Sequence, residues 1–139
     1  MRTRQRQSGQ AMVEGALVML VFLVTIMGIA DMGQLMFFHQ SLVERARSAV
    51  RWGVTHTYNQ TQIQNMAVYE KQAPTQSDKP VLAYLTTGMV TVTNDNAGTT
   101  QASRTVSISG YPYRFISPWI TKSFNSTKPV VATMPVEVP

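Results

Sequence analysis

The chain has 139 residues, a formal charge of +5 and no cysteine, which excludes disulfides, thiolate metal sites and cysteine nucleophiles. Its positive charge is local: Arg2, Arg4 and Arg6 precede a long apolar run and Arg45, Arg47 and Arg51 follow it, while no basic patch interleaved with aromatics marks a nucleic-acid surface further on. The opening segment and the remainder differ in composition, which predicts one appended segment and one compact domain of about 85 residues, near the lower limit for folding unaided.

The first element is the apolar run. No charged residue occurs from Gly15 to Ala30, and the window from Ala11 to Ala30 is interrupted only by Glu14. At 1.5 Å per residue, about twenty helical residues cover about 30 Å, the thickness of a hydrocarbon core, so residues 11–30 can span a bilayer. The arginines before the run, with no Lys or Arg again until Arg45, place the N-terminus in the cytoplasm by the positive-inside asymmetry. Glu14 is the anomaly. A carboxylate at the centre of a membrane helix costs about 2.5–3.5 kcal/mol, and less near the interface, so Glu14 is either tolerated by snorkelling or employed. The rival reading is a secretory signal with "GIA" at Gly28–Ala30 as its cleavage site, cut after Ala30 to release a soluble secreted binding domain. Against it stand the length of the apolar region and the position of Glu14. An uncleaved, membrane-anchored adaptor is a third possibility.

The helical pattern does not stop at Ala30. Apolar or small residues recur at Leu35, Phe38, Leu42, Ala46, Ala49 and Gly53, with Gln34, Gln40, Glu44, Arg47 and Arg51 on other faces. This predicts one helix of roughly forty residues from near Ala11 to near Trp52, greasy all round in its first half and amphipathic in its second. Gly53 is the expected stop, with Arg47 and Arg51 in the last turns against the negative end of the helix dipole. Gly28 and Gly33 are weak points where a bend is easily made. Asp31 falls where the span should end and marks the outer water boundary. Arg45 and Arg47 are too far along the same helix to pair with it, so any partner must come from another segment or subunit. The stripe can pack on the chain's own C-terminal domain, on helices of other subunits, or on both.

After Gly53 a polar connection leads to a short helix within "TQIQNMAVYEKQ" from Thr61, then to a loop, "APTQSDKP". Beyond that the apolar period becomes two. "MVTVTND" from Met89, "SRTVSISGY" from Ser103 and "PVVATMPVEV" from Pro129 read as strands, with "NDNAG" at Asn94–Gly98 as the first turn and Pro135 marking an edge or a bulge. The expectation is an antiparallel sheet of three or four strands laid on the outer half of the long helix. Tyr111, Tyr113, Phe115 and Trp119 form an aromatic cluster that either fills the seam between sheet and helix or offers a binding patch. His39 and His56 have no acid or second histidine at ligand spacing, and no nucleophile motif, phosphate loop or paired carboxylates appear, so neither an enzyme nor a metal, cofactor or small-molecule site is expected.

One spacing remains. Gly9 precedes Glu14 so that cleavage after Gly9 would make Gln10 the first residue and Glu14 the fifth, behind a basic leader and ahead of a long apolar helix. This resembles prepilins, which a membrane peptidase trims on the cytoplasmic side. The resemblance narrows to TadE-like pseudopilins, the minor pilin-like proteins of Tad or Flp-type pilus systems. It is carried by "EGAL" at Glu14–Leu17, "IADMGQLMF" at Ile29–Phe37 and "ERARSAVRWG" from Glu44, and more loosely by "RTVSISGYPYRFISPW" from Arg104 and "VVATMPVEVP" from Val130. Gly15 stands where the family usually has a bulky residue, and Leu20 where many members have proline. The resemblance implies a pilin-like α+β fold, in which a long N-terminal membrane-spanning helix packs on a small antiparallel sheet. It divides the chain into a leader (1–9), a long helix (10–53, membrane-spanning over 11–30 and amphipathic over 31–53) and an extracytoplasmic domain (54–139). It also implies a single-pass protein of the bacterial inner membrane, possible incorporation in the pilus, and a prepilin peptidase and other pilins or pseudopilins as partners. Glu14 would dock a subunit by pairing with the new amine of Gln10 in its own or an adjacent chain.

Overall fold

The computed structural model describes residues 4–118, 120 and 124–136; Arg2, Trp119 and the end of the expected last strand, 137–138, lie outside them. Helix α1 runs from Arg4 to Thr55 and α2 from Gln60 to Tyr69. After a short 3-10 turn at Thr87–Met89 come β1 (Val90–Asp95), β2 (Ser103–Ile108), β3 (Pro112–Tyr113), β4 (Phe124–Asn125) and β5 (Val130–Pro135). This is an α+β, pilin-like arrangement of one long apolar helix and a small antiparallel sheet.

β2 lies at the centre of a three-stranded sheet in the order β1-β2-β5, and β3 pairs with β4 as a separate two-stranded ribbon. The register puts three cross-strand rows on the inner face: Val90, Ile108 and Val130; Val92, Val106 and Ala132; Asn94, Arg104 and Met134. Because side chains alternate along a strand, the intervening Thr91, Thr93, Thr105 and Thr133 face outward, and the Thr105 and Thr133 hydroxyls bond each other across strands at 2.9 Å. Pro135 ends β5, an edge strand, where its missing N–H costs no ladder bond.

The sheet's inner face lies on the outer half of α1. Leu42, Ala46, Ala49 and Val50 are buried there, with Leu35, Phe38 and Val43 partly buried beside them. Complete burial of each large apolar side chain contributes about 1.5–3 kcal/mol, so this seam and the sheet's Val and Ile rows supply the outer domain's main cohesion. Alanine at 46 and 49 lets the elements approach closely. α2 crosses at Gly53, where an added Cβ would come within 3.1 Å of Ile63 Cδ1.

The ends of α1 differ from the sequence expectation. The helix extends back through Gly9 to Arg4, seven residues before the expected start near Ala11. It also passes through Gly28, Gly33 and Gly53 and stops at Thr55. Gly53 is therefore a packing residue and not a cap, and no basic residue stands in the last turn. The cation comes instead from β2: Arg104, 7% exposed, donates from Nη1 to the His56 carbonyl at 2.8 Å, and its guanidinium lies 5.4 Å from the Tyr58 ring centre. A positive charge on carbonyls at a helix C-terminus is favourable, and this contact fixes the far end of the sheet to the far end of α1.

α2 is capped at both ends. The Asn59 side chain accepts from Gln62 N, and Glu70 closes the helix in the left-handed conformation. Arg45 on α1 pairs with the Glu70 carboxylate. β1 reaches Asp95, so the β1–β2 connection occupies 96–102, starting two residues later and ending four later than the expected turn, with Asn96 and Gly98 taking the positive φ it needs.

Candidate functional site

From Gly9 to Ala30 every residue of α1 is exposed except Met27, which is half-covered. Among the described residues nothing buries this stretch, although it is long and apolar enough to cross a membrane. A soluble protein's core helix of this composition would be largely buried; this one needs an apolar medium from outside the chain.

Gly9, Gln10, Val13, Glu14 and Leu17 share one face at the start of that stretch. Glu14 follows Gln10 by four positions, about 6 Å along the axis, so the two lie one above the other. Gly9 has open space around it, with nothing within 4 Å of where a Cβ would stand. The three residues expected to form the processing and docking site are therefore together, exposed, and at one end of the apolar stretch. Among the described residues no group of three or more His, Cys, Asp or Glu is placed to share a metal ion.

At the other end of the stretch stands Asp31, only 6% exposed. Its Oδ1 accepts from the backbone N–H of Ile116 at 2.7 Å and of Ser117 at 3.2 Å. The Ser117 side chain and these two N–H groups hold the carboxyl below its usual range, against the opposing effect of partial burial. The expected water-boundary residue is thus a tether for the loop after β3. The sequence allows a partner only from another segment or subunit, and nothing in it singles out backbone groups 85 positions away. Val50 joins the buried stripe as well; four positions after Ala46, it is as much in phase as Ala49.

The aromatic cluster divides. Tyr111 and Tyr113 are buried and meet edge-on at 5.3 Å, Tyr111 packs against Phe38 on α1 at 5.9 Å, and its hydroxyl donates to the Ala83 carbonyl at 3.0 Å. These two fill the seam. Phe115 meets Phe124 edge-on across the β3–β4 ribbon. His39 is exposed on α1, beside Leu35, Met36, Val43 and Arg47.

Residues 9–51 match the family model described as TadE-like protein. The TadE-like segment begins at Gly9 and covers the apolar stretch, Asp31 and most of the packing stripe. No curated protein and no solved structure matches the chain. Residues 9–51 are thus similar to TadE-like proteins, and the α1 helix they lie on is long and apolar enough to cross a membrane. That family is structural and not enzymatic in kind, and its members associate with a membrane and with other pilus components.

Proposed function

We propose that the protein is a non-enzymatic assembly subunit of a Tad-type pilus, trimmed by a prepilin peptidase after Gly9 and kept in the cytoplasmic membrane by residues 11–30. The observation that carries this reading is the coincidence of the TadE-like match, which begins at Gly9, with an apolar helical stretch, residues 9–30, that the described residues leave exposed but for the half-covered Met27. The N-terminus faces the cytoplasm and the outer domain the periplasm, in keeping with the arginines at 4 and 6 and the absence of Lys or Arg up to Arg45.

In this reading trimming gives Gln10 a charged amine at the membrane boundary. A free carboxylate so near the apolar medium is costly alone, and much less so when paired with that amine in its own or an adjacent subunit. Glu14 therefore guides one chain beside another, a related pilin or pseudopilin in a hetero-complex. The exposed face of α1 around His39 is open to the same neighbour. Glu14→Ala and Glu14→Gln, expressed in cells carrying the pilus machinery, test this: both variants should reach the membrane at normal levels and lose co-purification with pilus components. Co-purification and piliation at the level of the unmodified protein would remove the docking role.

A further inference from the structure

The outer domain carries a feature the assembly reading does not use. The ribbon of β3 and β4 leaves the seam at Tyr111, level with Phe38, and its connecting loop is bound at Ile116 and Ser117 to Asp31. Seven helix positions separate Phe38 from Asp31, a descent of about 10 Å toward the apolar stretch. Ile116 and Ser117 therefore lie beside the first residue beyond the span. Among its described residues the exposed side chains near this level are apolar: Ile116 is 62% exposed and Ile120 40%, with exposed Pro118 between them. On the same helix face, one and two turns toward the span, Met27 is half-covered and Val24 exposed. Arg114, at the head of the loop, stacks its guanidinium 4.2 Å from the ring centre of the exposed Tyr84.

We infer that the loop around Ile116 and Ile120 is a second membrane contact, seated in the outer interface of the bilayer beside the point where α1 leaves it. Three observations select lipid as the occupant. The Asp31 tether fixes the loop's height at the end of the span, the exposed isoleucines continue the helix's own uncovered apolar surface, and an arginine and a tyrosine stand above them, the residue types suited to the headgroup layer. The two N–H bonds make the contact directional. With the loop held to α1 at one point and in lipid at another, rotation of the outer domain about the helix axis is restricted, and the domain presents a fixed face to its neighbours.

The inference rests on α1 spanning the bilayer, and the test separates the two. The chain has no cysteine, so single cysteines can be placed at Leu23, Ile116, Ile120 and Thr100 in the full-length protein, labelled with an environment-sensitive fluorophore and reconstituted in phosphatidylethanolamine–phosphatidylglycerol vesicles. All four positions are exposed, and Thr100 lies in the connection at the far end of the sheet. Lipids carrying a nitroxide near the headgroup should quench the Ile116 and Ile120 labels and leave the Thr100 label unaffected, while a deep nitroxide quenches Leu23. Quenching of Ile116 and Ile120 by aqueous iodide alone, with Leu23 still quenched by lipid, would overturn the loop contact and spare the spanning helix. Protection of both loop labels from lipid and iodide alike would assign the surface to a protein partner and overturn it too. A Leu23 label untouched by the deep nitroxide would end both readings.

Discussion

The two halves of α1 are one continuous helix, yet they are satisfied by different surroundings. Residues 9–30 have nearly every side chain exposed, whereas Leu42, Ala46, Ala49, Val50 and Gly53 are buried under the sheet and α2. The first half is apolar on all faces and asks for a medium; the second is apolar on one face and asks for a partner surface. Asp31 stands between them, and the molecule uses it to bind the outer domain to the helix at that border.

A charge tests this division most severely. Ala46→Asp puts an unpaired carboxylate at a position with no solvent exposure and should cost about 4 kcal/mol or more, enough to unfold the outer domain. Val18→Asp, in the exposed half, should leave the domain's denaturation midpoint in detergent unchanged while reducing membrane insertion by an amount equivalent to about 2.5–3.5 kcal/mol. Proteolysis and carbonate extraction of the two variants give the two readouts, and equal unfolding by both would break the comparison.

Glycines give a finer version. Gly53→Ala gains helix propensity but drives a Cβ to within 3.1 Å of Ile63, itself only 1% exposed and unable to move aside freely, so a net loss of about 1 kcal/mol in urea denaturation is expected. Gly28→Ala, which meets nothing within 4 Å, should leave the domain's stability unchanged.

The smallest effect is acid sensitivity confined to the outer half. The Asp78 carboxyl, held by the Lys71 ammonium and by the Thr75 N–H and hydroxyl, is lowered from 3.8 to about 2. A depressed carboxyl stabilises the fold above its unfolded value, and that contribution is lost as pH falls from 3.8 toward 2. Asp31 is lowered as well, so its tether weakens in the same direction. The Thr75 amide shift should move over that acid range, those of Ile116 and Ser117 should move only below the ordinary carboxylate value, and Asp78→Asn should abolish the change at Thr75 alone.

Much of this was legible in the residues. The apolar window, the three-and-four spacing from Leu35 to Ala49 and the period-two strands are local patterns, and each led to its element. What escaped were the contacts closed by the tertiary fold. Gly53 reads as a stop because glycine commonly ends helices, but Ile63 can only pack over a residue with no side chain. Arg104 reads as a surface strand residue until β2 brings it to the end of α1. Asp31 reads as a boundary because the N–H groups it binds carry no side-chain signature.

The account's central claim is that the apolar helix stays with the finished molecule and begins at a newly made amine beside Glu14. Intact mass of the native protein from the membrane fraction tests it most directly: the account predicts loss of residues 1–9, leaving Gln10 first. A product that begins at Asp31, or one that keeps its arginine-rich leader, would contradict it.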